Sequence, residues 1–141
     1  MTQNTQPIDK YLVQRVMAAG PAQQAALLME CGQRFVGKAL KAMEQKNHFE
    51  ASRCLSRVTE VINEATLRLN HEEGGELVEN LVKIYDWWTW EVFEASTAKD
   101  TTRLAAVSHH MGEIRQAWEQ LYEKQVKAAM SGQFQVGDRV V

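Results

Sequence analysis

Histidine is the side chain that most often binds metals or moves protons near neutral pH. The chain has four of them, His48, His71, His109 and His110. A di-iron site in a helical bundle requires a glutamate three residues before a histidine on each of two helices. The residues at that spacing are Gln45, Arg68, Ala106 and Val107. The adjacent His109 and His110 would point about 100° apart on a helix, so both cannot face one ion. The sequence therefore predicts no metal site.

Other residue types that could do chemistry also lack suitable partners. Cys31 and Cys54 are far apart and form no CxxC motif, which predicts two free, buried thiols. Gly74-Gly75 lacks the GxxxxGK[ST] context of a phosphate-binding loop, and no serine has a nucleophile motif around it. Four glutamates suit the positive end of a helix better than acid–base catalysis: Glu72, Glu73, Glu76 and Glu79. His110 and Glu113 share a helix face, and we interpret them as solvated or capping residues. We predict no enzymatic activity and no cofactor.

The composition narrows the class of protein further. The 141 residues include 16 Lys+Arg and 18 Asp+Glu, which alternate along the chain without the basic stripe of a nucleic-acid binder. No apolar run approaches the roughly 20 residues needed to span a bilayer. The first ten residues, MTQNTQPIDK, lack the features of a secretory signal. We therefore expect a cytoplasmic protein with no nucleic-acid partner and no membrane insertion.

Apolar residues recur every three or four positions along most of the chain, as in amphipathic helices. Only Pro7 and Pro21 could interrupt helices, so the last 120 residues contain no proline. The predicted core stripes of four successive helices are Ala25, Leu28, Gly32, Phe35, Ala39 and Met43; Ala51, Leu55, Val58, Ile62, Ala65 and Leu69; Leu77, Leu81, Ile84, Trp88, Val92 and Ala95; and Leu104, Val107, Met111, Ile114, Trp118, Leu121 and Gln125.

Turn signals separate these four helices. Pro21 is suited to the first position of a helix that runs to about Gln45, and Gly74-Gly75 provides the stop after the second helix. Asp100 or Thr101 is expected to cap the fourth. Because short loops join long helices, neighbouring helices should be antiparallel. We predict an all-α fold, an antiparallel up-and-down four-helix bundle over residues 21–129, with an N-terminal arm over 1–20 and a flexible C-terminal tail over 130–141.

Three of the four tryptophans lie within four residues of the third predicted helix. On a helical wheel Trp88 falls on the core stripe, whereas Trp87 and Trp90 interrupt the charged face. Val82 and Phe93 extend the apolar arc beyond the width that a two-faced helix needs. Each aromatic ring offers about 150–250 Å² of buriable area, which favours a partner-binding surface. The alternative is that loops or the N-terminal arm cover these rings.

One segment of the chain resembles a known family. Residues 69–76 read Leu-Asn-His-Glu-Glu-Gly-Gly-Glu and are followed by Ile84-Tyr85-Asp86, which resembles the signature of FliS, the flagellar export chaperone of flagellin. Tyr11 stands ten residues before Pro21, as the family's N-terminal tyrosine stands before its Ser-Pro step. The similarity spans roughly residues 11 to 123. Asn70 replaces the usual aspartate and Trp87 replaces a tyrosine, so the chain looks like a divergent member.

The resemblance implies a chaperone that binds the C-terminal segment of newly made flagellin. Such a chaperone prevents premature polymerisation and assists delivery to the flagellar type III export apparatus. A segment that later buries an apolar face in a filament needs temporary cover, and grooves between bundle helices can receive amphipathic helices. We predict partner-binding roles for Val82, Trp87, Trp90 and Phe93 from the wheel. Tyr11 comes from the resemblance alone, as part of an arm that covers or shapes the client groove.

Two alternatives stay open at this point. A helical adaptor or regulatory protein would keep the same bundle and bind a different partner on it. An exposed apolar face is also suited to forming a homodimer in the absence of a client. Tyr85 falls at the edge of the core stripe, so a structural role is the alternative to a binding role for this residue.

Overall fold

Four helices make up the described part of the chain. The computed structural model describes residues 20–130, which form α1 (Pro21–Glu44), α2 (His48–Leu67), α3 (Gly75–Ala98) and α4 (Thr101–Met130). The helices are arranged in a ring in which each one packs against two others. α1 and α3 each contact both α2 and α4. The predicted all-α four-helix bundle is confirmed. Residues 1–19 and 131–141 of the predicted arm and tail lie outside the described residues, and the division into arm, bundle and tail stays a prediction.

The helix ends follow local capping chemistry. Pro21 occupies the first position of α1, where its missing N–H costs nothing. The Asn47 side chain accepts a hydrogen bond from the Glu50 N–H at 3.1 Å, and Asp100 accepts one from the Arg103 N–H at 3.0 Å. The predicted cap at Asp100 is therefore confirmed. The expected stop at Gly74-Gly75 is wrong, because α2 ends at Leu67 and the glycine pair begins α3 instead.

Side-chain size sets how closely the helices approach each other. α1 lies near α2 and α4 because its buried face is made mostly of small residues: Ala22, Ala25, Ala26, Gly32, Ala39 and Ala42. A Cβ atom at Gly32 would lie 3.0 Å from the Met111 sulfur. α3 presents the fully buried rings of Tyr85 and Trp88 to the same two helices and makes fewer close backbone approaches to them. The bundle is therefore tight around α1 and wider around α3.

The core agrees best with the predicted stripes in α2 and least well in α1. All six α2 stripe residues are buried. In α1 three of the six predicted residues are buried, namely Ala25, Gly32 and Ala39. The large core residues of α1 are Met29 and Val36, whereas the predicted Leu28, Phe35 and Met43 are only partly buried. Small residues occupy the line of closest contact with α2 and α4, so large side chains lie at its edges. For its large side chains, the observed core stripe of α1 therefore lies about one residue away from the predicted stripe.

The two cysteines are free thiols, as predicted from their spacing. Cys54 is buried in the core, as expected. The expectation that Cys31 is also buried is wrong, because this residue lies on the exposed side of α1 between Glu30 and Gly32. Its wheel position leaves it outside the small-residue face that contacts α4.

We expect Gly74→Ala to lower the free energy of unfolding by about 1–3 kcal/mol, the usual cost of overpacking. The backbone of Gly74 is right-handed, but an added Cβ would overlap the Val78 side chain and lie 2.6 Å from the Asn70 carbonyl oxygen. Chemical denaturation followed by circular dichroism measures the change. Gly37→Ala is the matched control, because open space surrounds Gly37 and alanine should stabilise α1 there by about 0.5–1 kcal/mol. Equal effects at the two glycines would contradict this packing.

Candidate functional site

Three large aromatic side chains project from the outer face of α3. Trp87 is 49% exposed, Trp90 is 56% exposed and Phe93 is 60% exposed. The ring centroids of Trp90 and Phe93 are 6.1 Å apart, which is within the range of favourable aromatic pairs. We call Trp87, Trp90 and Phe93 the aromatic ridge. The structure therefore brings together three of the five residues that the sequence indicated as partner-binding.

The other two predicted residues do not belong to the aromatic ridge. Val82 is partly buried against the core and lines a shallow depression beside the loop of residues 71–75. It lies 11 residues before Phe93, or about 16 Å along the helix axis. Tyr11 lies outside the described residues. Partner binding by any of the five residues stays a prediction.

A chain of buried aromatic contacts supports the inner face of α3. Trp88 is fully buried and stacks on Tyr85 with ring centroids 5.2 Å apart. Its indole Nε1–H donates a hydrogen bond of 2.9 Å to Nδ1 of His110 on α4. The Tyr85 hydroxyl accepts a 3.2 Å hydrogen bond from Nε1–H of Trp118, also on α4. Both buried indoles thus have acceptors, as buried polar groups require. The interpretation of His110 as a solvated or capping residue is wrong.

An ion pair joins the far half of α3 to the start of α4. The Arg103 guanidinium donates two hydrogen bonds to the Glu91 carboxylate, at 3.0 and 2.8 Å. This two-pronged geometry is the strong form of an arginine–carboxylate contact. The hydrogen bonds from Arg103 lower the pKa of the Glu91 carboxyl. The pair thereby fixes α3 and α4 relative to each other one turn beyond the Trp88–His110 contact.

An apolar groove of about 360 Å³ opens between α3 and α4 at the other end of α3. Its lining is almost entirely apolar: Leu77, Asn80, Leu81, Ile84, Ile114, Ala117, Trp118 and Leu121. We predicted Leu77, Ile84, Ile114 and Leu121 as core residues, but Leu77 is exposed and the other three are only partly buried. The large rings of Tyr85 and Trp88 keep α3 away from α4, and a gap remains between their edges. A helical wheel describes one helix at a time, so it cannot predict a gap between two helices.

Within residues 20–130, the histidine, cysteine and acidic side chains form no group of three or more that could hold a metal ion. In the same residues no helix is both long and apolar enough to cross a membrane.

Comparison with known proteins identifies the family. The model of the flagellar protein FliS matches residues 4–125 of the chain. The chain belongs to the FliS family. It is 30% identical over 105 residues to the flagellar secretion chaperone FliSB of Pseudomonas aeruginosa, covering 74% of this chain and 83% of that protein. It is 27% identical over 110 residues to the flagellar secretion chaperone FliS of Salmonella typhimurium, covering 77% and 82%. The FliS of Vibrio cholerae, also a flagellar secretion chaperone, is 26% identical over 107 residues, covering 76% and 79%.

The residues that suggested the FliS family have clear structural roles. Leu69 and Tyr85 are buried in the core, and Gly74 gives room for Val78 at the start of α3. The Asn70 side chain accepts a 3.1 Å hydrogen bond from the Glu73 N–H. An aspartate at position 70 could accept the same bond, so either residue suits this turn. The FliS-like signature therefore specifies the α2–α3 connection and the packing of α3.

We expect the stability of this FliS-family bundle to fall as the pH rises above about 10. Burial raises the pKa of Tyr85 to about 12, whereas an unfolded tyrosine ionises near pH 10. Between these two values the unfolded state binds fewer protons than the folded state, so the free energy of unfolding decreases with pH. Urea unfolding at a series of pH values measures this slope.

Tyr85→Phe is the matching variant for this test. At neutral pH it should be less stable by about 1–3 kcal/mol, because the buried Trp118 N–H loses its acceptor. Above pH 10 the difference from the wild-type chain should shrink, because phenylalanine has no proton to lose. A constant difference across the whole pH range would contradict the assignment to Tyr85.

Proposed function

We propose that this chain is a cytoplasmic chaperone for flagellar export whose client is flagellin, and that it binds the C-terminal segment of that client. The observation that carries the proposal is the FliS-family match, since the similar proteins of three flagellated bacteria are all flagellar secretion chaperones. The aromatic ridge and the apolar groove support it, because they provide exposed apolar surface of the kind that a binding protein needs. Binding prevents premature polymerisation and presents flagellin to the export apparatus.

The chemistry of the surface suits an amphipathic client. Three exposed rings offer about 150–250 Å² of buriable area each, and aromatic side chains are frequent binding hot spots. The groove between α3 and α4 has almost no polar lining and can take aliphatic side chains from a client helix. A terminal segment that later packs inside a filament carries such side chains on one face. Capture and release then follow competing binding equilibria, and neither requires a nucleotide or a metal.

The proposed binding residues fall into three groups. The aromatic ridge of Trp87, Trp90 and Phe93 is the main anchor. Val82 contributes from the depression beside residues 71–75, and Tyr11 contributes from the N-terminal arm. In the absence of client, the same apolar surface would pair two copies of the chain.

A secretion assay in the source organism tests the function. Deleting the gene should reduce the flagellin recovered outside the cell, and expression of the wild-type chain should restore it. A tagged chain should also recover flagellin from cell extracts, but not a flagellin truncated at its C terminus. If secretion is unchanged and flagellin stays unbound while another protein is recovered, the chain is a helical adaptor and the proposal is wrong.

A further inference from the structure

His110 connects the core of the bundle to its exposed aromatic ridge. Its Nδ1 accepts the hydrogen bond from the fully buried Trp88 indole at 2.9 Å. The same imidazole meets the half-exposed ring of Trp87 edge-on, with centroids 6.0 Å apart and planes inclined by 73°. One side chain on α4 therefore contacts two adjacent tryptophans of α3, the buried Trp88 and the half-exposed Trp87.

The hydrogen bond fixes the protonation state of this imidazole. An indole N–H can only donate, so Nδ1 must carry a free lone pair and the proton of the neutral ring resides on Nε2. Protonation places a second N–H on Nδ1, directly opposite the Trp88 N–H. Two donors then face each other, and the buried indole N–H loses this acceptor. The contact in the structure is therefore compatible only with a neutral His110.

We propose that His110 is a positioning residue of the aromatic ridge. Its imidazole holds Trp87 and the adjoining turn of α3 in the arrangement that binds client. This inference rests on the proposed function, because it treats the aromatic ridge as the client surface. Its consequence is that removing the Nδ1 acceptor should weaken client binding although the aromatic ridge itself is unchanged.

Other charged groups near this contact do not replace the lost acceptor. Glu91 of α3 is held by Arg103 through two hydrogen bonds, so neither side chain is available to His110. Lys83 and Asp86 on α3 and Glu113 on α4 lie within about one helical turn of the contact and are solvated or on outer faces. α1 presents the uncharged Gln33 to this level of α4, where its Nε2 donates to the Ser108 carbonyl. His110 is thus the acceptor on which the Trp88 indole N–H depends.

The first test needs no client. In ¹⁵N-labelled protein, His110→Leu removes the acceptor and should shift the indole N–H signal of Trp88. His110→Asn supplies an acceptor near the position of Nδ1 and should keep the signal close to its wild-type position. His109→Asn is the matched control, since the neighbouring His109 is exposed and its replacement should leave the signal unchanged. A Trp88 signal that does not change in His110→Leu would overturn the proposal.

The second test measures the affinity for a flagellin C-terminal peptide. His110→Leu should lose about tenfold in affinity, the effect of one lost buried hydrogen bond. His110→Asn and the control His109→Asn should bind within a factor of two of the wild-type chain. If the indole signal shifts in His110→Leu while the affinity stays at the wild-type value, His110 does not position the ridge. Absence of peptide binding by the wild-type chain would contradict the proposed function, and the indole signal would still show whether His110 holds Trp88.

Discussion

Replacing Trp88 by alanine should lower the free energy of unfolding by about 3–5 kcal/mol, which is a large part of the stability of a domain this size. Trp88 is fully buried, stacks on Tyr85 and donates its N–H to His110. Its removal leaves a cavity where α3 is already held at a distance from α2 and α4.

The neighbouring tryptophan provides a matched control for this experiment. Trp87→Ala makes the same chemical change one residue earlier, but half of the Trp87 side chain is exposed, so the loss should be below about 1 kcal/mol. Urea unfolding followed by circular dichroism compares both variants with the wild-type chain. If both variants lost similar amounts of stability, the buried position of Trp88 and the half-exposed position of Trp87 would be contradicted.

The second large effect should appear in client binding. The double variant Trp90→Ala/Phe93→Ala removes two exposed rings whose centroids lie 6.1 Å apart. Truncating a binding hot spot costs about 2 kcal/mol or more, so the affinity for the flagellin C-terminal peptide should fall at least about thirtyfold. The stability of the free protein should change little, since both rings are mostly exposed. Isothermal titration calorimetry with the same peptide measures the affinity.

An exposed aromatic residue away from the ridge controls for loss of nonspecific apolar contact. Phe49 lies at the start of α2 and is 81% exposed. Phe49→Ala should leave the affinity within a factor of two of the wild-type value. If Trp87→Ala and Trp90→Ala each also stay within a factor of two, the aromatic ridge is not the client-binding site.

Periodicity predicted the bundle well where apolar residues recur on a single helix face. All six stripe residues predicted for α2 are buried, because they recur every three or four positions. Trp88 and Trp118 are buried as predicted, and Trp87, Trp90 and Phe93 are exposed. These outcomes depend on the 3.6-residue repeat alone, which a sequence displays directly.

Features that depend on contacts between helices could not be predicted in this way. The stripe of α1 was displaced because close contact with α4 selects Gly32 and alanines over larger residues such as Phe35. The apolar groove exists because Tyr85 and Trp88 hold α3 and α4 apart. The hydrogen bond between Trp88 and His110 joins residues 22 positions apart on two helices. Their pairing follows from the antiparallel register, which a single helical wheel does not contain.

Titration of the purified chain with a peptide of the flagellin C-terminal segment, followed by calorimetry, tests the flagellin-chaperone proposal most directly. The proposal predicts saturable binding with a dissociation constant in the micromolar range or tighter, together with a negative heat-capacity change from burial of apolar surface. Absence of binding at tens of micromolar peptide, for every flagellin of the source organism, would contradict it.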